Sequence, residues 1–336
     1  MHEAADYDTA QLAQELARAG ARVEPLLAEI YPQGEEDFLT EPFWYHMGTG
    51  GKRIRPALCL LTCEALGGEG ERALPFAAAV ELLHNMLLVH DDIEDGDTVR
   101  RDTPTVWVAY GVANAINLGD DMLARAYSLV LRSPVEPPTR LRLSEAFCEA
   151  LECTCRGQAL DLNSRGRADF TLDDYLRMVT LKTGRYLALG MVGGAIAARA
   201  EEPAVERIKG LGDSMGPAFQ IRDDVIDLTQ GKGRGGLMGN DIREGKPSIL
   251  YAHALEATSG GERDRLVEIV SRERASTTDE EVAWVTGLYQ QCGSLDFARR
   301  KADEMIEEAF KTIEGVPVQN RDFFRSVIRF MAQRTT

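Results

Sequence analysis

The chain has 336 residues and six cysteines, yet no CxxC pair, and no histidine is spaced to complete a zinc site. Cys59 and Cys63 stand one helical turn apart in Leu58-Cys59-Leu60-Leu61 and read as reduced core thiols. Alternating strand patterns of useful length are absent, as are low-complexity linkers and short-period repeats. Positive charge is in deficit: 54 acidic against 38 basic residues give a net charge of −16. That argues against general nucleic-acid binding and against attraction to anionic lipid, although basic residues can still cluster locally. The opening Met1-His2-Glu3-Ala4-Ala5-Asp6 is acidic and lacks the apolar stretch of a secretory signal. The longest uncharged run of interest, Tyr186 to Ala198, is bounded by Arg185 and Arg199 and is shorter than the roughly 20 residues that cross a bilayer. A reducing, cytoplasmic setting with no transmembrane segment is expected.

Helical spacing is what the chain has in abundance. Leu12, Leu16 and Ala19 repeat at helical intervals, as do Val80, Leu83, Leu87 and Leu88, and Ile208, Leu211 and Met215. Proline and glycine punctuate these runs at Pro32 to Gly34, Gly67-Gly68, Pro134 to Pro138, Pro203 and Gly315 to Pro317. Thr171-Leu172-Asp173-Asp174 reads as a capped helix start, with Thr171 as the cap. Pro217 is expected to kink its helix, because proline removes a backbone donor and clashes with the preceding turn. The run Gly231 to Gly236 cannot be helical and reads as a basic loop. The simplest architecture is one all-α domain over residues 1–336, of about a dozen helices.

Two acidic clusters with the same spacing stand out, Asp91-Asp92-Ile93-Glu94-Asp95 and Asp223-Asp224-Val225-Ile226-Asp227. Each follows an apolar run, and an uncompensated buried carboxylate is costly. Positions i and i+4 share a helix face, so Asp91 projects with Asp95 and Asp223 with Asp227. Two such helices facing one another would hold a hard cation such as Mg²⁺, which takes a few carboxylates and fills its shell with water or phosphate oxygens. A single acidic run is more often a solvated helix face. Two copies with basic motifs downstream reverse that, and point to a phosphate ester or diphosphate ligand.

The basic motifs are Gly50-Gly51-Lys52-Arg53-Ile54-Arg55-Pro56, Arg100-Arg101, Lys182-Thr183-Gly184-Arg185, and Lys246 in Glu244-Gly245-Lys246-Pro247. The first opens a helix after a glycine pair, where free N–H groups and cations suit an anion. Arg100-Arg101 falls on the end of the first acidic helix or the turn after it. His84 lies two turns before Asp91 and is expected on the same face.

These residues resemble the trans-polyprenyl diphosphate synthases of the farnesyl/geranylgeranyl type. The opening signature, both aspartate-rich motifs, the arginine pair, Lys182-Thr183 and Phe219-Gln220 recur in family order between about Gly50 and Lys246. The resemblance implies an all-α single helical bundle, the type I isoprenoid synthase fold, with a central active-site cavity, three Mg²⁺ ions and a homodimer. It implies that Asp91, Asp95 and Asp223 ligate metal, with Asp92 and Asp227 supporting. Lys52, Arg53, His84 and Arg101 would hold isopentenyl diphosphate. Arg100, Lys182, Gln220 and Lys246 would face the allylic diphosphate, with Thr183 beside it, and Lys182 would join Asp91, Asp95 and Asp223 in catalysis. The resemblance places the floor of the product tunnel at Met86 and Leu87, whose intermediate bulk implies a C20 product, with C15 and C25 as near alternatives. There are departures: Leu237 stands where a loop lysine is usual, with Lys232 or Arg234 as candidate substitutes; Asp102 stands for a glycine, and Trp107 for a histidine. Competing readings are a class I terpene cyclase, disfavoured by Lys52, Arg53 and Arg101, and a non-catalytic subunit of a hetero-oligomer, disfavoured by two intact acidic motifs.

Overall fold

The computed structural model describes residues 9–34, 37–229, 238–316 and 321–332, and nearly all of them are helical. The chain divides into two compact units, each discontinuous in sequence. One comprises Met1–Ala150, Ala188–Lys209 and Gly315–Phe330; the other comprises Leu151–Leu187, Gly210–Glu314 and Met331–Thr336.

In the first unit α1 (Thr9–Ala21) packs on α4 (Ile54–Ala65), α4 on α5 (Gly70–Glu94), and α5 on α7 (Val112–Leu131). The stripe Leu12, Leu16 and Ala19 is the buried face of α1. Helix α5 has no exposed face along its middle, because every residue from Phe76 to Leu83 is buried, Glu81 being the one charged side chain among them. A helix buried all round belongs inside a core. It is also the one described helix long and apolar enough to cross a membrane, and 67% of its most apolar window is buried. Helix α10 (Arg185–Ala197) contains the uncharged run noted above. Its glycines let backbones meet: a Cβ on Gly194 would lie 2.2 Å from the Cys59 carbonyl oxygen. Cys59 and Cys63 are free and buried, and burial raises both thiols, Cys63 to about 11. Such thiols are inert at neutral pH.

Helix α5 stops at Glu94, and a two-residue antiparallel hairpin follows, with β1 (Val99–Arg100) paired to β2 (Thr103–Pro104). The arginine pair therefore sits on a hairpin rather than on a helix end. Its turn residues, Arg101 and Asp102, have φ of 51° and 60°, the left-handed values a tight two-residue hairpin requires. Aspartate tolerates that region better than most residues. Asp102→Gly is therefore expected to leave stability within about 0.5 kcal/mol, and Asp102→Val to cost about 1–2 kcal/mol, read by urea unfolding.

In the second unit α9 (Leu172–Val179) begins with the expected cap: the Thr171 hydroxyl accepts from the Asp174 N–H at 3.1 Å, and the Asp174 carboxylate accepts from the Thr171 N–H. One π-helical turn, Thr180–Gly184, then leads into α10. Helix α11 (Glu202–Thr229) runs through Pro217 as a continuous helix. The short α12 (Asn240–Arg243) and α13 (Ile249–Ala257) follow. Tyr251, Ile221, Leu266, Val285 and Tyr289 form the centre of this unit's core, with α14 (Gly260–Val270), α15 (Asp279–Gln291) and α16 (Ser294–Ile313) around it. The run Gly231 to Gly236, with Lys232, Arg234 and also Leu237, lies outside the described residues.

Candidate active site

The first acidic motif closes α5. Asp95 is the helix cap and its N–H still bonds the Asp91 carbonyl at 2.8 Å, so the two side chains keep the i, i+4 relation expected of them. Both are half-buried. Asp92 points the other way and is 1% exposed. The Arg100 Nε and Nη2 atoms each donate to Asp92 Oδ1 at 2.6 Å, and Arg100 Nη2 lies 3.9 Å from Asp91. Burial pushes the Asp92 carboxyl up to about 6 against the pull of Arg100. Asp92 thus anchors the hairpin arginine to the helix. The Trp107 indole N–H donates to the Asp92 and Asp97 carbonyls at 3.1 and 2.8 Å, joining the Asp97 N–H and the Thr105 hydroxyl, from which these carbonyls also accept. That gives Trp107 a structural task at the position where the resemblance leads one to expect histidine.

The basic opening motif meets the middle of α5 at Glu81 and His84, and meets the hairpin through Arg101. Lys52 is exposed. Arg53 is the N-cap of α4 with φ of 46°, and its guanidinium pairs with Glu24 at 2.8 Å and Glu81 at 3.3 Å. His84 meets Arg55, with Nη1 3.4 Å from Nε2, and burial together with Arg55 holds its imidazole neutral, well below the ordinary histidine value. Arg101 donates to the Gly50 carbonyl. Its guanidinium is held below the ordinary arginine value by burial and by Arg100 and Arg53 beside it. Exposed Lys52 with Arg55 and Arg101 concentrates positive charge here, which suits an anion. Arg55, which sequence alone did not mark, stands on the first turn of α4, three residues after Lys52. His46 is a second residue the sequence did not flag. It is buried and pushed down to about 3 by burial and the nearby Arg100 and Arg101.

The second motif lies on α11. Asp223 is half-buried, whereas Asp224 and Asp227 are buried. Asp224 accepts from Tyr175 Oη at 2.9 Å, Gln220 Nε2 at 3.0 Å and the Ile249 N–H at 3.3 Å. Asp227 accepts from the Asp241 N–H at 3.1 Å, tying α11 to α12. Both motifs therefore share a pattern: the first aspartate stays accessible, and the second is buried and holds neighbouring elements. Gln220 also meets Thr183, with Thr183 Oγ1 3.5 Å from Gln220 Oε1. Lys182 lies on the π-helical turn and donates to Asp161 of α8 (Pro137–Ser164) at 2.6 Å. π-turns of this kind concentrate at functional sites. A Cβ on Gly157, one turn before Asp161, would lie 2.2 Å from the Lys182 nitrogen, so glycine lets the turn approach α8. Lys246 lies 3.6 Å from Asp241. Burial alone would push its ammonium down, but Asp241 and Asp224 outweigh it and hold it well above the ordinary lysine value. Lys246, Asp224, Asp227, Asp241, Ser248 and Tyr289 line one small pocket.

The donor set can be tested against a divalent cation. Among the described residues no three carboxylate, imidazole or thiol side chains converge on one point. The accessible donors are hard carboxylate oxygens, of Asp91 and Asp95 on one helix and of Asp223 on another. Mg²⁺ binds through one or two carboxylates and completes its shell with water and phosphate oxygens, so the Asp91–Asp95 pair, and Asp223 by itself, each suit it.

The backbone is that of the isoprenoid synthase fold: a geranylgeranyl pyrophosphate synthetase from Pyrococcus horikoshii superposes with a TM-score of 0.88 and 31% identity, over 97% of this chain and 99% of that one. The Polyprenyl synthetase family profile matches residues 36–287. A geranylgeranyl diphosphate synthase of Methanosarcina mazei is 32% identical over 90% of this chain and 91% of its own length. A geranylfarnesyl diphosphate synthase of Aeropyrum pernix is 34% identical over 85% and 91%. The chain belongs to the polyprenyl synthetase family, and it is a polyprenyl diphosphate synthase, a prenyltransferase of isoprenoid biosynthesis.

Proposed function

We propose that the protein condenses isopentenyl diphosphate with an allylic diphosphate primer in the cytoplasm and that its main product is geranylgeranyl diphosphate (C20). The observation that carries the reaction is the duplicated pattern of one accessible aspartate backed by a buried one, each with cations beside it. Asp91, Asp95 and Asp223 hold Mg²⁺, three ions by the family resemblance, which when bound neutralise the diphosphate leaving group. Lys182 and Lys246 place ammonium charge on the same group, with Thr183 and Gln220 orienting it. Lys52, Arg55 and Arg101 hold the diphosphate of isopentenyl diphosphate, with neutral His84 as a hydrogen-bond partner. The allylic C–O bond breaks, the isopentenyl double bond attacks the cation, and a proton leaves to the departed diphosphate. The apolar residues preceding Asp91 on α5 keep water from the cation. The test is purified protein with Mg²⁺, labelled isopentenyl diphosphate and each allylic primer in turn, with chromatography of the products. Turnover of an allylic diphosphate without isopentenyl diphosphate would instead favour a cyclase.

Product length rests on Met86, buried on α5, and on half-buried Leu87. The relatives named above are called geranylgeranyl and geranylfarnesyl diphosphate synthases, names that correspond to C20 and C25 products and support a length in that range. Methionine is flexible enough to yield to a growing chain. Met86→Phe is expected to shift the main product down by one isoprene unit and Met86→Ala up by one, at a fixed substrate ratio. An unchanged distribution in both would put the floor elsewhere.

The oligomer proposed is a homodimer. Val112 and Ile116, one turn apart on α7, and Val108 on the preceding α6 (Val106–Tyr110) are 45%, 44% and 45% exposed. Such an apolar stripe on a soluble enzyme suits a second copy. Ile116→Lys is expected to halve the mass seen by light scattering; an unchanged mass would move the interface off this stripe.

A further inference from the structure

We infer that Arg53 is not a substrate ligand but a strut: with the buried Glu81 it forms an ion pair that sets the shape of the Gly50–Arg53 loop and so positions Lys52 and Arg101 for the incoming diphosphate. The inference rests on the reading of the reaction given above and replaces the expectation, from the family resemblance, that Arg53 holds the isopentenyl diphosphate. Its basis is the compensation of charge. Arg53 is met by two carboxylates, Glu24 Oε1 at 2.8 Å and Glu81 Oε1 at 3.3 Å, and its side chain is 13% exposed. A guanidinium matched by two carboxylates has little charge left for a third anion. Lys52, by contrast, is exposed.

Glu81 is itself held. Asn85, one turn along α5, donates its Nδ2 to Glu81 Oε1 at 3.0 Å and to the Glu81 carbonyl at 2.8 Å. Asn85 Oδ1 in turn lies 3.0 Å from His46 Nε2. Glu81, Asn85 and His46 are all buried, so the chain from α3 (Thr40–Gly48) through α5 to Arg53 is shielded from water. Burial raises the Glu81 carboxyl, and Arg53 opposes that rise.

The loop needs such an anchor. Arg53 takes a left-handed φ of 46°, which costs a non-glycine residue about 1 kcal/mol or more. A Cβ on Gly51 would lie 2.6 Å from Arg53 Nη1 and 3.3 Å from Arg101 Nη1, so the two guanidinium groups flank one glycine. Like charges that close repel, and Glu81 is the buried counter-ion on the Arg53 side. Arg101 closes the loop from the other side by donating to the Gly50 carbonyl.

The test compares three variants for KM toward isopentenyl diphosphate, KM toward the allylic primer, and kcat. Breaking one partner of a buried pair is costly, whereas replacing both with neutral groups of similar size often is not. Arg53→Met and Glu81→Gln alone are each expected to raise KM for isopentenyl diphosphate about tenfold with little change in kcat, and Arg53→Met/Glu81→Gln together to return it to within about threefold of the parent. The double variant carries the decision, since it leaves no buried charge unpaired, Glu24 being 40% exposed; thermal melting confirms that it is folded. A diphosphate ligand at Arg53 predicts no rescue, and a double variant as impaired as Arg53→Met overturns the strut. Absence of condensation in the parent protein would instead overturn the reaction assigned above.

Discussion

Asp91→Ala and Asp223→Ala are each expected to lower condensation about 10³-fold or more while the protein stays folded, because each removes an accessible carboxylate whose task is to hold a cation against the leaving diphosphate. Neither residue belongs to a core. Both are half-buried, and the hydrogen-bonding work at the base of each motif falls to Asp92 and Asp224. Removing one of several neighbouring negative charges also relieves repulsion in the metal-free protein, so thermal stability without Mg²⁺ is expected to hold or rise. Asp224→Ala should behave oppositely, losing stability as well as activity, since it strands Tyr175 Oη and the Ile249 N–H. Circular dichroism melts with and without Mg²⁺, together with initial rates, separate the two cases. Normal turnover of either Asp91→Ala or Asp223→Ala would remove the metal assignment.

The second large effect concerns Lys182 and Asp161. Lys182→Ala is expected to lower kcat about 10²–10³-fold, the loss typical when one positioned donor to a developing anion is removed. Asp161 acts through Lys182. Its carboxylate receives the ammonium at 2.6 Å and also lies 3.8 Å from Arg165. Asp161→Asn keeps the shape but removes the charge that holds the ammonium in place, and is expected to cost about tenfold in kcat. The two together should cost no more than Lys182→Ala alone, because residues acting as one unit are not additive. Additive losses would mean that Asp161 serves the reaction by a route other than Lys182.

The helical class, the capped start at Thr171 and the membership of the family were all legible in the order of residues. Periodicity and caps are local, so a sequence states them directly. The aspartate motifs were legible for the same reason, since i and i+4 must share a face wherever the helix goes. What each aspartate does was not legible. Asp91 and Asp92 are neighbours of one chemical type, and only packing turned one toward the accessible face and the other toward Arg100. The arginines show the same division. Arg53 and Arg55 differ by two positions, and only the tertiary fold brought Glu24 and Glu81, 29 positions before and 28 after, to Arg53 and set His84 beside Arg55. The hairpin under Arg100-Arg101 also escaped the sequence, because a two-residue strand is too short to show a period and Asp102 hides the left-handed turn that glycine would have announced. Charge and helical period are properties of neighbours along the chain. Which charge is neutralised depends on partners that only the tertiary fold brings within a few ångströms.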